Sequence, residues 1–145
     1  MKILRLGAVF SLCFLSVLAL AFSHPAGAET VTYTVLFPEL REEVAQGATV
    51  GEPVTDGAGK EKAGVVVSVR TEAALCDRYD PKADAFLAEE IPRLSHLFLT
   101  VSTDAARKNG ILTAGTLRLR VGETVALHLP HLSAEGRIVE VEVSP

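Results

Sequence analysis

The 145-residue chain has no tryptophan, one methionine, two tyrosines and two cysteines. Each scarcity removes an option. Aromatic residues make up 6% of the chain, too few and too scattered to form a platform on which bases or sugar rings could stack. Cys13 falls inside an apolar N-terminal run, so Cys76 stands alone in the rest of the chain and no internal disulfide can form there. Fourteen Lys and Arg against 18 Asp and Glu give a net charge of −4, and the signs alternate along the chain without the concentrated basic face that nucleic acid requires. The GxxxxGK[ST] phosphate loop is missing: "GAGKEKAG" at 57–64 has glycine and lysine in the wrong order and reads as a loop between strands. A G-x-S-x-G nucleophile elbow is missing too.

What is present begins with a targeting signal. Lys2 and Arg5 precede the apolar run "LGAVFSLCFLSVLALAF" at 6–22, and "SHPAGA" sets Ala26 and Ala28 where a signal peptidase needs small residues. The reading is a secretory signal over 1–28 with Glu29 as the mature N-terminus. The rival is an uncleaved membrane anchor, for which the run falls a little short of the roughly 20 residues a bilayer core takes. Lys2 and Arg5 are two of the 14 basic residues, so their loss leaves 12 basic against 18 acidic, a net −6. The chain is expected to be exported and extracytoplasmic: secreted, periplasmic, or anchored facing outward. Contact with a membrane is expected only through the N-terminal segment, if uncleaved. Residues 29–145 suffice for a single domain with its own core.

That domain repeats itself. "TVGEPV" at 49–54 returns as "RVGETV" at 120–125. Each sits in a longer parallel: "TVTYTVLF", "PELREEVAQG", "TVGEPV", "GVVVSV", against "SHLFLTVS", "TDAARKNG", "RVGETV", "GRIVEVEV". The order is strand, short helix, glycine turn, strand, strand, as in a duplicated unit over 30–70 and 95–143. Val31, Tyr33, Val35 and Phe37 alternate with Thr32, Thr34 and Leu36 as a half-buried strand. Pro38 and Glu39 are expected to open a helix, with Leu40 and Val44 on one face and Gly47 ending it in the left-handed conformation. A second, shorter helix is expected from Thr103 or Asp104 to a stop at Asn109–Gly110. Strand alternation is also read in Leu117, Leu119 and Val121, in Val125, Leu127 and Leu129, and in Val139, Val141 and Val143. "GVVVSV" is apolar on both faces, as a central or helix-covered strand would be. Gly51, Glu52, Gly122 and Glu123 are assigned as structural turn residues, glycine at a corner needing positive φ and the acid bonding nearby amides. The fold expected is mainly β: a small, internally duplicated six-stranded β-barrel of cradle-loop type with one to three short helices, or else an open sandwich.

Residues 71–94, "TEAALCDRYDPKADAFLAEEIPRL", join the two units. Asp80–Pro81 reads as a helix start, Phe86, Leu87 and Glu90 as its face, and Pro92 as its stop. Such an insertion caps an open barrel end or docks a partner. Chemistry is thinly supplied. Cys76 with His96, His128 or His131 would need spatial contact and an orienting group to act as nucleophile and base. His128 and His131 with Glu135 or Cys76 would need tetrahedral convergence to hold zinc. Glu42–Glu43 and Glu89–Glu90 are neighbours that point apart on a helix. No catalytic residue, metal ligand or cofactor is assigned.

"VTYTVLFPELREEVAQGATVGEPVTD", "GVVVSV" and "GILTAGTLRLRVGETVALHLPHLSAEGRIVEVEV" together resemble the domain of unknown function 4330 family over nearly all of 30–143. In that family an N-terminal hydrophobic segment precedes paired glycine–acid turns. The chain departs from the pattern in carrying Glu52 and Glu123 where the family has Asp, and a cleavage site where members look anchored. The resemblance implies an envelope-associated bacterial protein and transfers no enzymatic residue. "TVLF…VGEPV…GVVVSV" is also similar, more weakly, to the barrel domains of bacterial lipid-transport proteins. The expected function is a non-catalytic binding or assembly module of the cell envelope, with a protein partner or self-assembly. The alternative is a lipid- or glycan-binding barrel, and the third reading a Cys/His enzyme or metal protein.

Overall fold

The structure is a computed structural model that describes residues 27–57 and 61–145. The leader expected over 1–28 lies, except for its last two residues, outside the described residues. The chain is mainly β. Strand β1 spans Ala28–Arg41, helix α1 Glu42–Ala45, β2 Pro53–Asp56, β3 Lys62–Asp80 and β4 Ala85–Lys108. Next come β5 Ile111–Ala114, β6 Leu117–Arg118, β7 Thr124–Leu129 and β8 Leu132–Val143. All pairings are antiparallel in one sheet ordered β1-β8-β7-β2-β3-β4-β5-β6, and β4 also pairs with β1. The pairings of β1, β8, β7, β2, β3 and β4 therefore return to their start, and β4 pairs in addition with β5. The slimmest seam is β2–β7, joined only at Thr55↔His128 and Asp56↔Leu127.

Period two decides what is buried. Val31, Tyr33, Val35 and Phe37 of β1 are all at 0% exposure and pack with Leu97, Leu99 and Val101 of β4. Val125, Leu127 and Leu129 of β7 face the same core. Inside it the Tyr33 hydroxyl donates to the Ala63 carbonyl at 2.9 Å, so a buried polar group is satisfied. Burial pushes the Tyr33 phenol well above its ordinary pKa, because the phenolate would have to form away from water.

Three expected helices are corrected, two of them in the main body of the sheet and one in the insertion. Over 38–47 the strand continues: β1 pairs with β4 as far as Arg41↔Leu94, and only the single turn Glu42–Ala45 is helical. Pro38 lies within the bulge between Phe37 and Leu40, where its missing N–H costs no ladder bond. Glu39 takes φ 50 there and gives its N–H to His96 Nδ1 at 3.2 Å. Leu40 is thus a strand residue and shares no helical face with Val44. Gly47 does not take the left-handed conformation; a Cβ at that position would lie 2.6 Å from the His131 carbonyl oxygen. Over 103–110, β4 runs on to Lys108, and Asn109–Gly110, at φ 52 and 79, is a two-residue hairpin turn into β5. Over 80–92 the chain forms paired strands instead of a helix.

Two strand assignments shift as well. Leu119 is buried, but β6 stops at Arg118 and Val121 is 59% exposed. In β8 the register slips where Thr34↔Glu140 gives way to Val35↔Ile138, so Val139 is the unpaired bulge residue and Ile138 takes the core position. β3 is central, between β2 and β4, yet its outward Val65 and Val67 are uncovered.

Candidate functional site

The two glycine–acid turns have one geometry. Gly51 and Gly122 both take φ 92. Gly51 N–H donates to the Val66 carbonyl at 2.8 Å and Val66 N–H to the Glu52 carbonyl at 3.0 Å. Gly122 N–H donates to the Ile138 carbonyl at 2.8 Å and Ile138 N–H to the Glu123 carbonyl at 2.9 Å. Glu52 Oε2 also accepts from Thr49 N–H at 3.1 Å. These bonds pin each corner to a strand.

The Cys/His and metal groupings weighed in the sequence do not come together among the described residues. Cys76 is exposed and lies opposite Glu89, whereas His96 lies opposite Glu72 in the same ladder, seven positions further along β4 from Glu89. His128 and His131 sit on and beside the β7–β8 hairpin. His128 Nε2 reaches the Gly57 carbonyl at 2.6 Å, and its Nδ1 meets the Ser133 hydroxyl. With both ring nitrogens engaged, His128 has no lone pair left for zinc, and among the described residues no group of three or more His, Cys, Asp and Glu converges. Sequence reasoning passes over Ser133; its signal is its place directly across the hairpin from His128. It passes over Asp56 for a different reason. Asp56 is 6% exposed, accepts from the Thr116 hydroxyl at 2.5 Å and from Glu61 N–H at 3.5 Å, and fastens the β5–β6 corner to β2. Nothing local in the sequence separates it from a surface aspartate.

The insertion forms a two-stranded ribbon. Among the described residues, beyond Arg41↔Leu94 and Ala73↔Ser95 the ends of β3 and β4 pair only with each other, from Leu75↔Glu90 through Cys76↔Glu89, Asp77↔Ala88, Arg78↔Leu87 and Tyr79↔Phe86 to Asp80↔Ala85. The ladder takes up the backbone bonds that the expected helix over 80–92 would have made, and Asp80–Pro81 becomes the hairpin turn: Asp80 Oδ1 accepts from Lys82 N–H at 2.9 Å. Six paired positions at about 3.4 Å each extend it by about 20 Å. At its root Ala74 is fully buried, and a register shift between Ala73 and Leu75 lets 91–94 bulge out.

Neither face of the ribbon is covered. Leu75, Tyr79 and Phe86 lie on one face, 56%, 48% and 72% exposed, and Leu87 on the other at 49%. The Tyr79 and Phe86 rings are 5.5 Å apart and tilted by 58°. Tyr79 donates to Asp84 at 2.5 Å, and this carboxylate holds the phenol above its ordinary pKa. Arg78 Nη1 reaches both Glu89 carboxylate oxygens, at 3.0 and 3.2 Å. Two-stranded ribbons are marginal in water, and proteins blunt open strand edges. An apolar one held out from the body is a surface suited to docking.

A separate groove of about 320 Å³ opens where β1 and β8 part beyond Leu36↔Arg137, lined by Leu36, Pro38, Thr124, Glu135, Gly136 and Arg137. No family model, no curated protein and no solved structure matches the chain.

Proposed function

We propose that this chain is an exported, non-catalytic binding or assembly module of the cell envelope: a small duplicated six-stranded barrel whose ribbon, Leu75–Glu90, docks a protein partner. The observation that carries the reading is the ribbon itself: Leu75, Tyr79 and Phe86 are exposed on one face and Leu87, beside the Arg78–Glu89 ion pair, on the other, and among the described residues it pairs with nothing but itself. The returning order of pairings supports the barrel. So does its twofold regularity: exchanging β1 with β4, β2 with β7 and β3 with β8 reproduces the same ring of neighbours. The matched turns at Gly51 and Gly122 support the duplication. Export and envelope residence rest on the N-terminal signal and on the resemblance to the domain of unknown function 4330 family. The alternative, a ligand-binding barrel, draws on the β1–β8 groove, whose Leu36 and Pro38 offer apolar surface beside Glu135 and Arg137.

The test is a native mass spectrum of the chain recovered from its own host's envelope, beside a Phe86→Asp/Leu87→Asp variant. A complex or oligomer in the first and a bare monomer in the second is the expected result. Bare monomers in both would overturn the docking role. An added small-molecule mass that persists in the variant would move the assignment to the groove.

A further inference from the structure

The ribbon has two free edges, and they differ in charge. Along β3 the edge from Leu75 to Asp80 carries Asp77, Arg78 and Asp80. Along β4 the edge from Ala85 to Ala88 reads Ala-Phe-Leu-Ala, with no charge in four residues. Charged side chains are the usual guard against strand addition, so the uncharged run Ala85–Ala88, with Glu89 and Glu90 beyond it, is the least guarded stretch of either edge. Beyond Leu94, which faces Arg41, β1 leaves β4, and the stretch from Ala85 to Arg93 has no partner on that side among the described residues.

We infer that the Ala85–Glu89 edge of β4 docks the same edge of a second copy of this chain, two ribbons pairing antiparallel about a twofold axis through Leu87. The inference rests on the proposed docking role and names its partner. A twofold normal to a sheet pairs residues whose numbers sum to a constant, and a strand serves only if its side chains suit their own mirror order. Centred on Leu87 they do. Leu87 meets Leu87, Phe86 meets Ala88 twice, and Ala85 meets Glu89 twice, with no like charges opposed in the five positions. The Glu89 carboxylate is already held by Arg78 of its own chain. Centring the β3 edge on Asp77 or Arg78 opposes like charges directly, which destabilises a pair. Phe86 and Leu87, on opposite faces and 72% and 49% exposed, would each lose water against the partner's strand. An aromatic side chain carries about 200 Å², so Phe86 alone offers about 150 Å² per copy. Contacts of this size fall well below a standard specific interface, so the dimer is weak and transient.

Geometry separates this arrangement from its competitors. Opposed residues of an antiparallel pair have Cα atoms about 4.5 or 5.5 Å apart, within the roughly 4.4–6.8 Å that a disulfide spans. In the order β3-β4-β4-β3 the two copies of Cys76 are three strand spacings apart across the sheet and offset along it, so at least about 14 Å separates them and they cannot be joined. The test is oxidative crosslinking of the full chain in its host's intact envelope, read on non-reducing gels. Leu87→Cys, in a Cys13→Ser/Cys76→Ala background, is expected to give a covalent dimer. Asp77→Cys in that background, and wild-type Cys76, are expected to give at least about tenfold less, and adding Phe86→Asp to Leu87→Cys should abolish the dimer. Equal crosslinking at 77 and 87, or a dimer joined through Cys76, overturns the inference. The native mass spectra keep it apart from the docking role: a partner of foreign mass, lost in the Phe86→Asp/Leu87→Asp variant, overturns the second copy and leaves docking standing, whereas bare monomers overturn both.

Discussion

Gly122→Ala tests the glycine–acid turn without touching the core. Nothing lies within 4 Å of where a Cβ at 122 would stand, so the whole cost is backbone conformation at φ 92. For an L-residue held in left-handed space that is about 1–2 kcal/mol. In a domain of this size it lowers Tm by about 4–8 °C. Gly51 has the same φ and the same empty surroundings. Gly51→Ala should therefore cost the same as Gly122→Ala, and Asn at either position should cost less than Ala, because asparagine enters this region more readily. Valine should cost most, since β-branched residues resist positive φ.

Gly136 supplies the opposite case. Its φ is ordinary, but an added Cβ would stand 2.7 Å from both the Leu36 carbonyl oxygen and Val35 Cγ1, and 2.8 Å from Phe37 Cδ1. The carbonyl is held in the β1–β8 ladder and cannot yield cheaply. Gly136→Ala should cost about 1–3 kcal/mol through overpacking, and Gly136→Asn more, not less. Urea and thermal unfolding of the Ala and Asn variants at the three positions decide it. If Asn fails to improve on Ala at 51 and 122, or if the two turns differ by more than about 1 kcal/mol, the shared-turn reasoning is wrong.

Tyr33→Phe leaves the Ala63 carbonyl buried without its donor and should cost about 1–3 kcal/mol at neutral pH. Because burial raises the folded-state pKa of Tyr33 above its ordinary value of 10.0, the folded state holds the proton longer than the unfolded state does. That stabilisation is whole below the ordinary value and declines as pH rises past it, so alkaline unfolding should be steeper in wild type than in Tyr33→Phe; parallel curves would count against a buried phenol. Thr116→Val removes the donor facing Asp56 Oδ2 in a nearly buried site and should cost about 1.5–3 kcal/mol. An unchanged denaturant midpoint would mean that the β5–β6 corner does not depend on it.

What the sequence made legible was whatever period two could carry. Val31 to Phe37 and Val125 to Leu129 have one buried face each, and no other element satisfies that spacing. The corners at Gly51 and Gly122 were legible because glycine before an acid and a new strand has few uses. The helices expected over 80–92 and 103–110 failed for a common reason. Asp80–Pro81 and Asn109–Gly110 mark a break in direction, and a break is shared by helix ends and hairpin turns. What distinguishes them is the partner strand: β3 for Ala85–Glu90, β1 and β5 for the end of β4. That partner is remote in sequence, so local spacing could not choose. The insertion stood out as a candidate docking or capping segment by having no counterpart elsewhere in the sequence. Its exposure on both faces depends on β3 and β4 pairing beyond the point where β1 leaves them, and no residue within 71–94 announces that.

The two roles expected of the insertion differ in what its removal would do. A cap buries the residues beneath it, whereas a docking ribbon is separable from the body. Ala73↔Ser95 is the last pair before the register shift, and Ala74, fully buried, belongs to the root. Every residue from Leu75 to Asp80 and from Ala85 to Glu90 is exposed or half-buried, and none of them belongs to the core cluster. Replacing 75–90 with a short Gly-Asn-Gly link, keeping Ala74 and 91–94, should therefore leave the unfolding free energy within about 1 kcal/mol of wild type, since surface residues remote from the core contribute little and shortening a connection changes its closure entropy only slowly. The urea midpoint should move little and the slope should fall only by the surface lost with the ribbon. A body that melts many degrees lower, or that exposes core amides to hydrogen exchange around Phe37 and Leu97, would mean that the ribbon covers one end of the core. The docking role, and the twofold pairing built on it, would then have to yield to a capping one.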